Sequence, residues 1–378
     1  GALFFIISRT LGATARLYLV INVLQIFILE GMGIPFWVTT FIILLMILLY
    51  TFEGGVKTIV FTDTLQTTFM LLGLVACIIY IVNNLSGTSA GVFSDMTQRG
   101  LTKIFNSDFN SSSFFLKQIL GGMFITIAMT GLDQEMMQKN ISVKTLKDSQ
   151  KNIVTFSIIS VFVNFLFLTL GGLLFLFAEN NGINIKGDDL FPTVAIQFMP
   201  TALSIVFIIG LISALFPSAD GALTALTSSF CIDMLGLKRR KDLDEKRSKR
   251  IRQRVHLIFA LVFFIVVMIF KLIDNKSIID VILKVAGITY GPLLGLFAFG
   301  IFTKKQIEDR KAIYVCLLAP LVILLFDYLT MKYNLLGSFK IGYEMLIYNG
   351  LLTFAGLWMI SKKTTENGAG KPAGTILR

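Results

Sequence analysis

A chain of 378 residues that is 55% hydrophobic and 15% charged, with a mean hydropathy of +0.78, carries more apolar surface than a water-soluble fold of that length can hide. Lipid is therefore the expected solvent, and the net charge of +11 has to be read by its distribution before nucleic acid is invoked. The three cysteines, Cys77, Cys231 and Cys316, lie inside apolar runs without CxxC or metal-site spacing, which makes them packing residues rather than disulfide or redox centres.

Ten apolar stretches able to cross a bilayer follow in chain order, near 2–28, 33–51, 56–82, 114–137, 153–178, 201–235, 255–274, 278–302, 312–331 and 344–360. The first begins at residue 2 without an initiator Met or a basic flank, and it contains Arg9 and Arg16, unlike a signal peptide. The expectation is a chain that starts at the edge of a membrane helix, with further helices upstream. The stretch 83–113, rich in Ser, Asn and Gly, reads as an irregular loop. The stretch 201–235 contains Pro217 and Asp220 and reads as one long helix, preceded by a short surface helix near 191–199. Residues 1–360 thus form one transmembrane domain and 361–378 a polar tail expected to be disordered. The GAGKP of that tail lacks the glycine spacing and the following Ser or Thr of a phosphate-binding loop, so nothing supports an ATP-driven pump. His256 is the one histidine, and no clustered nucleophile accompanies it, which argues against zinc chemistry and against a membrane-embedded enzyme.

Alternating the ten spans across a bilayer puts 23 Lys and Arg in the connections on one side and seven on the other. The positive-inside rule makes the first side cytoplasmic, together with the C-terminus. The run KRRKDLDEKRSKRIRQR at 238–254 supplies much of that bias, as a solvated loop that can also touch anionic lipid.

A charge at membrane depth costs at least about 2.5 kcal/mol on insertion scales, so charged residues inside spans are candidates for function. The candidates are Arg16, Asp63, Asp133, Asp220 and Lys284, accompanied by the neutral Thr130, Gln134, Ser160, Asn164, Ser213, Ser218 and Thr224. The competing reading for each is an interhelical hydrogen bond or a buried ion pair. At a rise of 1.5 Å per residue, Asp63 and Asp220 both fall in the inner part of the bilayer. Pro217 lacks a backbone donor and can free the carbonyl of Ser213. Carboxylates, hydroxyls and freed carbonyls are hard ligands that suit a small cation such as sodium and poorly suit zinc or copper.

Four stretches resemble the sodium/solute symporter family, which includes sodium–glucose cotransporters, proline permease and sialic acid transporters. They are YTFEGGVKTIVFTDTLQTTFMLLG, GLDQEMMQKNISVKTLKDSQKNI, GLISALFPSADGALTALTSSFCIDML and GITYGPLLGLFAFGIFTKK, in that order along the chain. The resemblance implies an all-α, LeuT-like bundle of two inverted repeats. It implies secondary active symport of a small organic solute with sodium, in a cell inner membrane. It also implies that the spans here correspond to core helices three to twelve, so that the first three family helices are absent. Residue by residue, it places Ala214, Pro217 and Ser218 at the conventional sodium site, with Pro217 where a hydroxyl is usual. It places Asp63 at a second sodium site of some members, and Asp220 where those members have Ser. Asp133 and Gln134 match an unwound helix, Ser160 and Asn164 match substrate-facing positions, and Arg16 matches an arginine that sialic acid transporters use for a carboxylate. The implied partners are the solute, sodium and the bilayer, with neither nucleic acid nor an obligate protein partner. Proton coupling and a transporter-like sensor are the alternatives.

Overall fold

The structure is a computed structural model that describes residues 2–53, 56–85, 89–132, 136, 140, 143–185, 187–240, 244–273 and 278–362. The described chain is helical, and seven of its helices are long and apolar enough to cross a membrane; three more apolar helices are shorter. The helices are α1 (Ala2–Leu24), α2 (Phe36–Glu53), α3 (Val56–Asn84), α4 (Ser89–Gln98), α5 (Phe115–Gly131), α6 (Leu146–Asn180), α7 (Thr201–Ser229), α8 (Glu245–Ile273), α9 (Ile278–Phe302), α10 (Asp309–Tyr333) and α11 (Met345–Ile360). Helices satisfy their own backbone hydrogen bonds, which is why an apolar chain in lipid takes this form.

The chain divides into two compact units, one of residues 2–107 and 131–285, the other of 108–130 and 286 onward. In the first, α1, α2, α7 and α8 share a core in which Leu17, Ile21, Ile47, Leu223, Leu226 and Phe263 are fully buried. A second core joins α3, α4 and α6 around Leu74, Cys77, Ile81, Leu173 and Leu176. The helix α7 runs uninterrupted through Pro217, as the long-helix reading expects, and the short helix before it begins at Leu190.

The loop reading of 83–113 is corrected: α4 lies within it. Val92 and Met96, four residues apart, form a buried apolar edge that the Ser and Gly content of the segment conceals. Arg99 closes the helix by pairing with Asp95 (2.9 Å) and with Glu179 of α6. The helix α6 also starts earlier than the apolar run, because Thr145 caps it by accepting the Asp148 N–H at 3.1 Å.

In the second unit, glycines at 287, 291 and 295 line one face of α9 at a spacing of four. A Cβ added to Gly291 would lie 2.4 Å from the Asn349 amide of α11, and one on Gly295 would lie 2.6 Å from Thr353. Pro292 offers no N–H to the Ile288 carbonyl, and Asn349 Nδ2 replaces it at 2.8 Å while also donating to the Gly287 carbonyl at 3.2 Å. Asn349 is fully buried there. Lys117 of α5 is buried as well; its ammonium donates to the Ser111 and Lys340 carbonyls and sits 3.5 Å from the Phe339 ring centroid.

Candidate functional site

The contact between α3 and α7 sets the register of the candidate cation ligands. A Cβ on Gly73 would lie 3.4 Å from Val206, and one on Gly210 would lie 3.6 Å from the Met70 Cα. The helices are thus antiparallel and close, with Gly73 level with Val206 and Met70 level with Gly210. Continuing that register brings Asp63 level with residue 217, and Asp220 lies one further turn along, about 4.5 Å in axial rise. Residues 63, 66, 70 and 73 follow one face of α3, and 206, 210, 213, 217 and 220 follow one face of α7. Both aspartates therefore belong to the faces on which these two helices meet.

Asp220 is fully buried, Asp63 half-buried. The Asp220 Oδ1 accepts the Gly221 N–H at 2.5 Å, and its Oδ2 is shielded from solvent, as is Oδ1 of Asp63. The Ser218 hydroxyl and the Gln66 carbonyl oxygen are also buried, with no hydrogen-bond partner among the described residues. Buried polar atoms of this kind favour an additional partner. Pro217 has no N–H to offer the Ser213 carbonyl within the helix. Two carboxylates, a hydroxyl, an amide oxygen and a backbone carbonyl make a hard donor set that fits a small monovalent cation. Ala214 is exposed and can supply only backbone. Gln66 was not among the residues singled out from sequence. Its position one helical turn from Asp63 is the signal that could have found it.

The solute candidates are placed as follows. Arg16 is half-buried on α1; its Nε donates to the Gly12 carbonyl at 3.0 Å, and its guanidinium lies back over Gly12. On α6, Ser160 is half-buried and Asn164 exposed, and Asn164 Nδ2 donates to the Ser160 carbonyl at 2.8 Å. Asp133 and Gln134 lie outside the described residues, as does the side chain of Lys284. Neither of the two cavities described in the structure is lined by Arg16, Ser160 or Asn164. His256 is buried between two threonines, with Nε2 2.9 Å from Thr51 Oγ1 and Nδ1 3.0 Å from Thr227 Oγ1. This is a structural bridge of three helices.

Comparison with known proteins follows this geometry. The sodium/sialic acid symporter SiaT of Proteus mirabilis is 23% identical over 283 residues, covering 72% of this chain and 56% of that protein. The sodium/sialic acid symporter NanT of Aliivibrio fischeri is 23% identical over 360 residues, 93% of this chain and 70% of that protein. Sodium/glucose cotransporter 1 of Mus musculus is 22% identical over 79% of this chain and 50% of that protein. The chain thus spans a little over half of SiaT and half of the mouse cotransporter. A solved substrate-bound, outward-open structure of a Na+-coupled sialic acid symporter with a novel Na+ site superposes with a TM-score of 0.76. It is 19% identical, and the match covers 96% of this chain and 75% of that one. That agreement shows the all-α, LeuT-like fold expected from the sequence. The profile of the sodium:solute symporter family matches residues 14–317, four-fifths of the chain, and the chain belongs to that family.

Proposed function

We propose that this chain acts in a secondary transporter of the cell inner membrane that moves a small organic solute inward together with sodium by alternating access. The C-terminus and the basic 236–254 connection face the cytoplasm in this reading, as the charge bias requires. The observation that carries it is the gathering of Asp63, Gln66, Ser218 and Asp220 at neighbouring levels of one tight, antiparallel helix pair inside apolar spans. Carboxylates so placed repel unless a cation or a proton lies between them. Relatives named as sodium symporters support sodium as that cation. Asp63 and Asp220 hold the ion with Ser218, and the backbone around Ala214 and Pro217 borders it. Arg16, with Asp133, Gln134, Ser160 and Asn164, is assigned to the solute. A guanidinium grips a carboxylate through two hydrogen bonds, so the solute class is a carboxylate or sugar acid.

The energetics suffice. A charge crossing 100 mV releases about 2.3 kcal/mol. A tenfold ion gradient adds about 1.4 kcal/mol, for roughly 500-fold accumulation per sodium.

The deciding experiment is solute uptake by the full-length protein in vesicles, with sodium and pH varied independently. Asp63→Asn and Asp220→Asn are each expected to raise the sodium concentration for half-maximal uptake and to lower its Hill coefficient. Loss of pH dependence with sodium activation unchanged would instead make the pair a proton site. If neither variant altered any ion dependence, the assignment would fail.

A further inference from the structure

A cavity of about 540 Å³ opens where the C-terminal end of α7, the first turns of α8 and Thr51 of α2 meet. None of the described sodium or solute candidates lines it. Its volume lies within the range of small-ligand sites, roughly 300–1,000 Å³. Among the described residues its lining includes two cations, Lys249 and Arg252, and no carboxylate. The cations stand three residues apart on α8 and so share a face. Neither forms an ion pair among the described residues. Thr224, Ser228 and Ser248 present hydroxyls to the same space.

The wall behind these groups is braced. His256 holds Thr51 of α2 with Nε2 and Thr227 of α7 with Nδ1. Both threonine hydroxyls also lie within hydrogen-bond distance of their own helices, Thr51 at 2.8 Å from the Ile47 carbonyl and Thr227 at 2.7 Å from that of Leu223. The imidazole is thus committed to joining three helices, and the cations stand beside the Thr224, Ser228 and Ser248 hydroxyls for recognition. Two cations and several hydroxyls, with no competing acid among the described lining residues, match the charge and the multiple acceptor oxygens of a phosphate group.

We propose that this cavity binds a phosphate-bearing anion, held by Lys249 and Arg252 with the Thr224, Ser228 and Ser248 hydroxyls. The phosphate can come from a soluble ester or from a lipid headgroup, and the test separates them. The full-length protein is placed in phosphatidylcholine nanodiscs and titrated with inorganic pyrophosphate at constant ionic strength, following the thermal unfolding midpoint. In a second arm the nanodiscs contain phosphatidylglycerol, with no added pyrophosphate. Lys249 and Arg252 are exposed at the rim, so Gln at both positions is expected to leave folding intact. A rise in midpoint with pyrophosphate, its apparent affinity about tenfold weaker in the Lys249→Gln/Arg252→Gln variant, supports a soluble ligand. A rise only with phosphatidylglycerol, lost in the same variant, supports a headgroup. A control variant, Arg239→Gln/Arg240→Gln, changes equal charge on the neighbouring exposed loop. No stabilisation in either arm would overturn the proposal. So would stabilisation that survives the cavity variant, or that the loop variant reduces as much.

Discussion

Where α3 meets α7, Gly73 and Gly210 let the helices approach, and the turns that follow carry Asp63, Gln66, Ser218 and Asp220. Where α9 meets α11, Gly287, Gly291 and Gly295 do the same for approach, but the facing groups are Asn349, Gly350 and Thr353. Both pairs use small residues, because association between helices in lipid comes from close packing and interhelical hydrogen bonds rather than from the hydrophobic effect. They differ in what the polar groups do. In the α9–α11 pair, Asn349 Nδ2 is spent on two carbonyls, one of them released by Pro292, while Asn349 Oδ1 is buried without a hydrogen-bond partner among the described residues. In the α3–α7 pair, the oxygens of Ser218 and Gln66 are buried without a hydrogen-bond partner among the described residues. A proline inside a helix is thus compatible with either outcome. A neighbouring amide makes the freed carbonyl structural, whereas neighbouring acceptors leave it available to an ion.

The largest effect expected on this comparison is at Gly291. Gly291→Ala puts a Cβ 2.4 Å from the Asn349 amide, with no flexible end to move aside. We expect a loss of about 1–3 kcal/mol or failure to fold, read as a lowered thermal midpoint in detergent. Gly300→Ala, on the same helix with nothing within 4 Å, should be neutral or slightly stabilising. Equal behaviour of the two would break the packing account.

Next comes Asp220. Asp220→Asn is expected to raise the sodium requirement of uptake by about tenfold, corresponding to roughly 1.4 kcal/mol, while the protein remains as stable or becomes more so. The half-buried Asp63 should respond in the same sense and less strongly. A large stability loss with unchanged sodium activation would move this pair into the structural class that Asn349 occupies.

A smaller effect tests the carbonyl directly. Asn349→Leu leaves the Ile288 carbonyl without its donor and should cost about 1 kcal/mol. Adding Pro292→Ala restores a backbone N–H to that carbonyl, so the double variant should regain part of the loss in a thermodynamic cycle. Strict additivity would show that the amide does not serve the proline. Smallest of all, Asn164→Ala removes only an exposed bond to the Ser160 carbonyl and should change stability by less than about 0.5 kcal/mol. Any loss of uptake in that variant then reports solute contact rather than folding.

The membrane character, the helical class and most helix positions were legible because apolar runs of bilayer length depend only on local composition. The short α4 was not, since its buried edge is two residues, Val92 and Met96, in a segment otherwise rich in Ser and Gly. Asp63 and Asp220 could be recognised singly as charges at membrane depth, and their likeness in depth followed from counting residues. Gln66 has only its place one turn from Asp63 to mark it, and which helix that face meets follows from the packing.

By itself, then, the sequence determined that this chain is a membrane protein of apolar helical spans. These properties are sums over local residues and need no knowledge of which helix touches which. Only the tertiary structure decided that Gly73 and Gly210 put α3 and α7 in the register that levels Asp63 with residue 217. Only it assigned Asn349 to the carbonyl freed by Pro292, and His256 to Thr51 and Thr227. Those pairings join residues between about 30 and 205 positions apart along the chain. No periodicity along one helix encodes the rotation and axial offset at which a second helix packs, because packing of the facing side chains sets them.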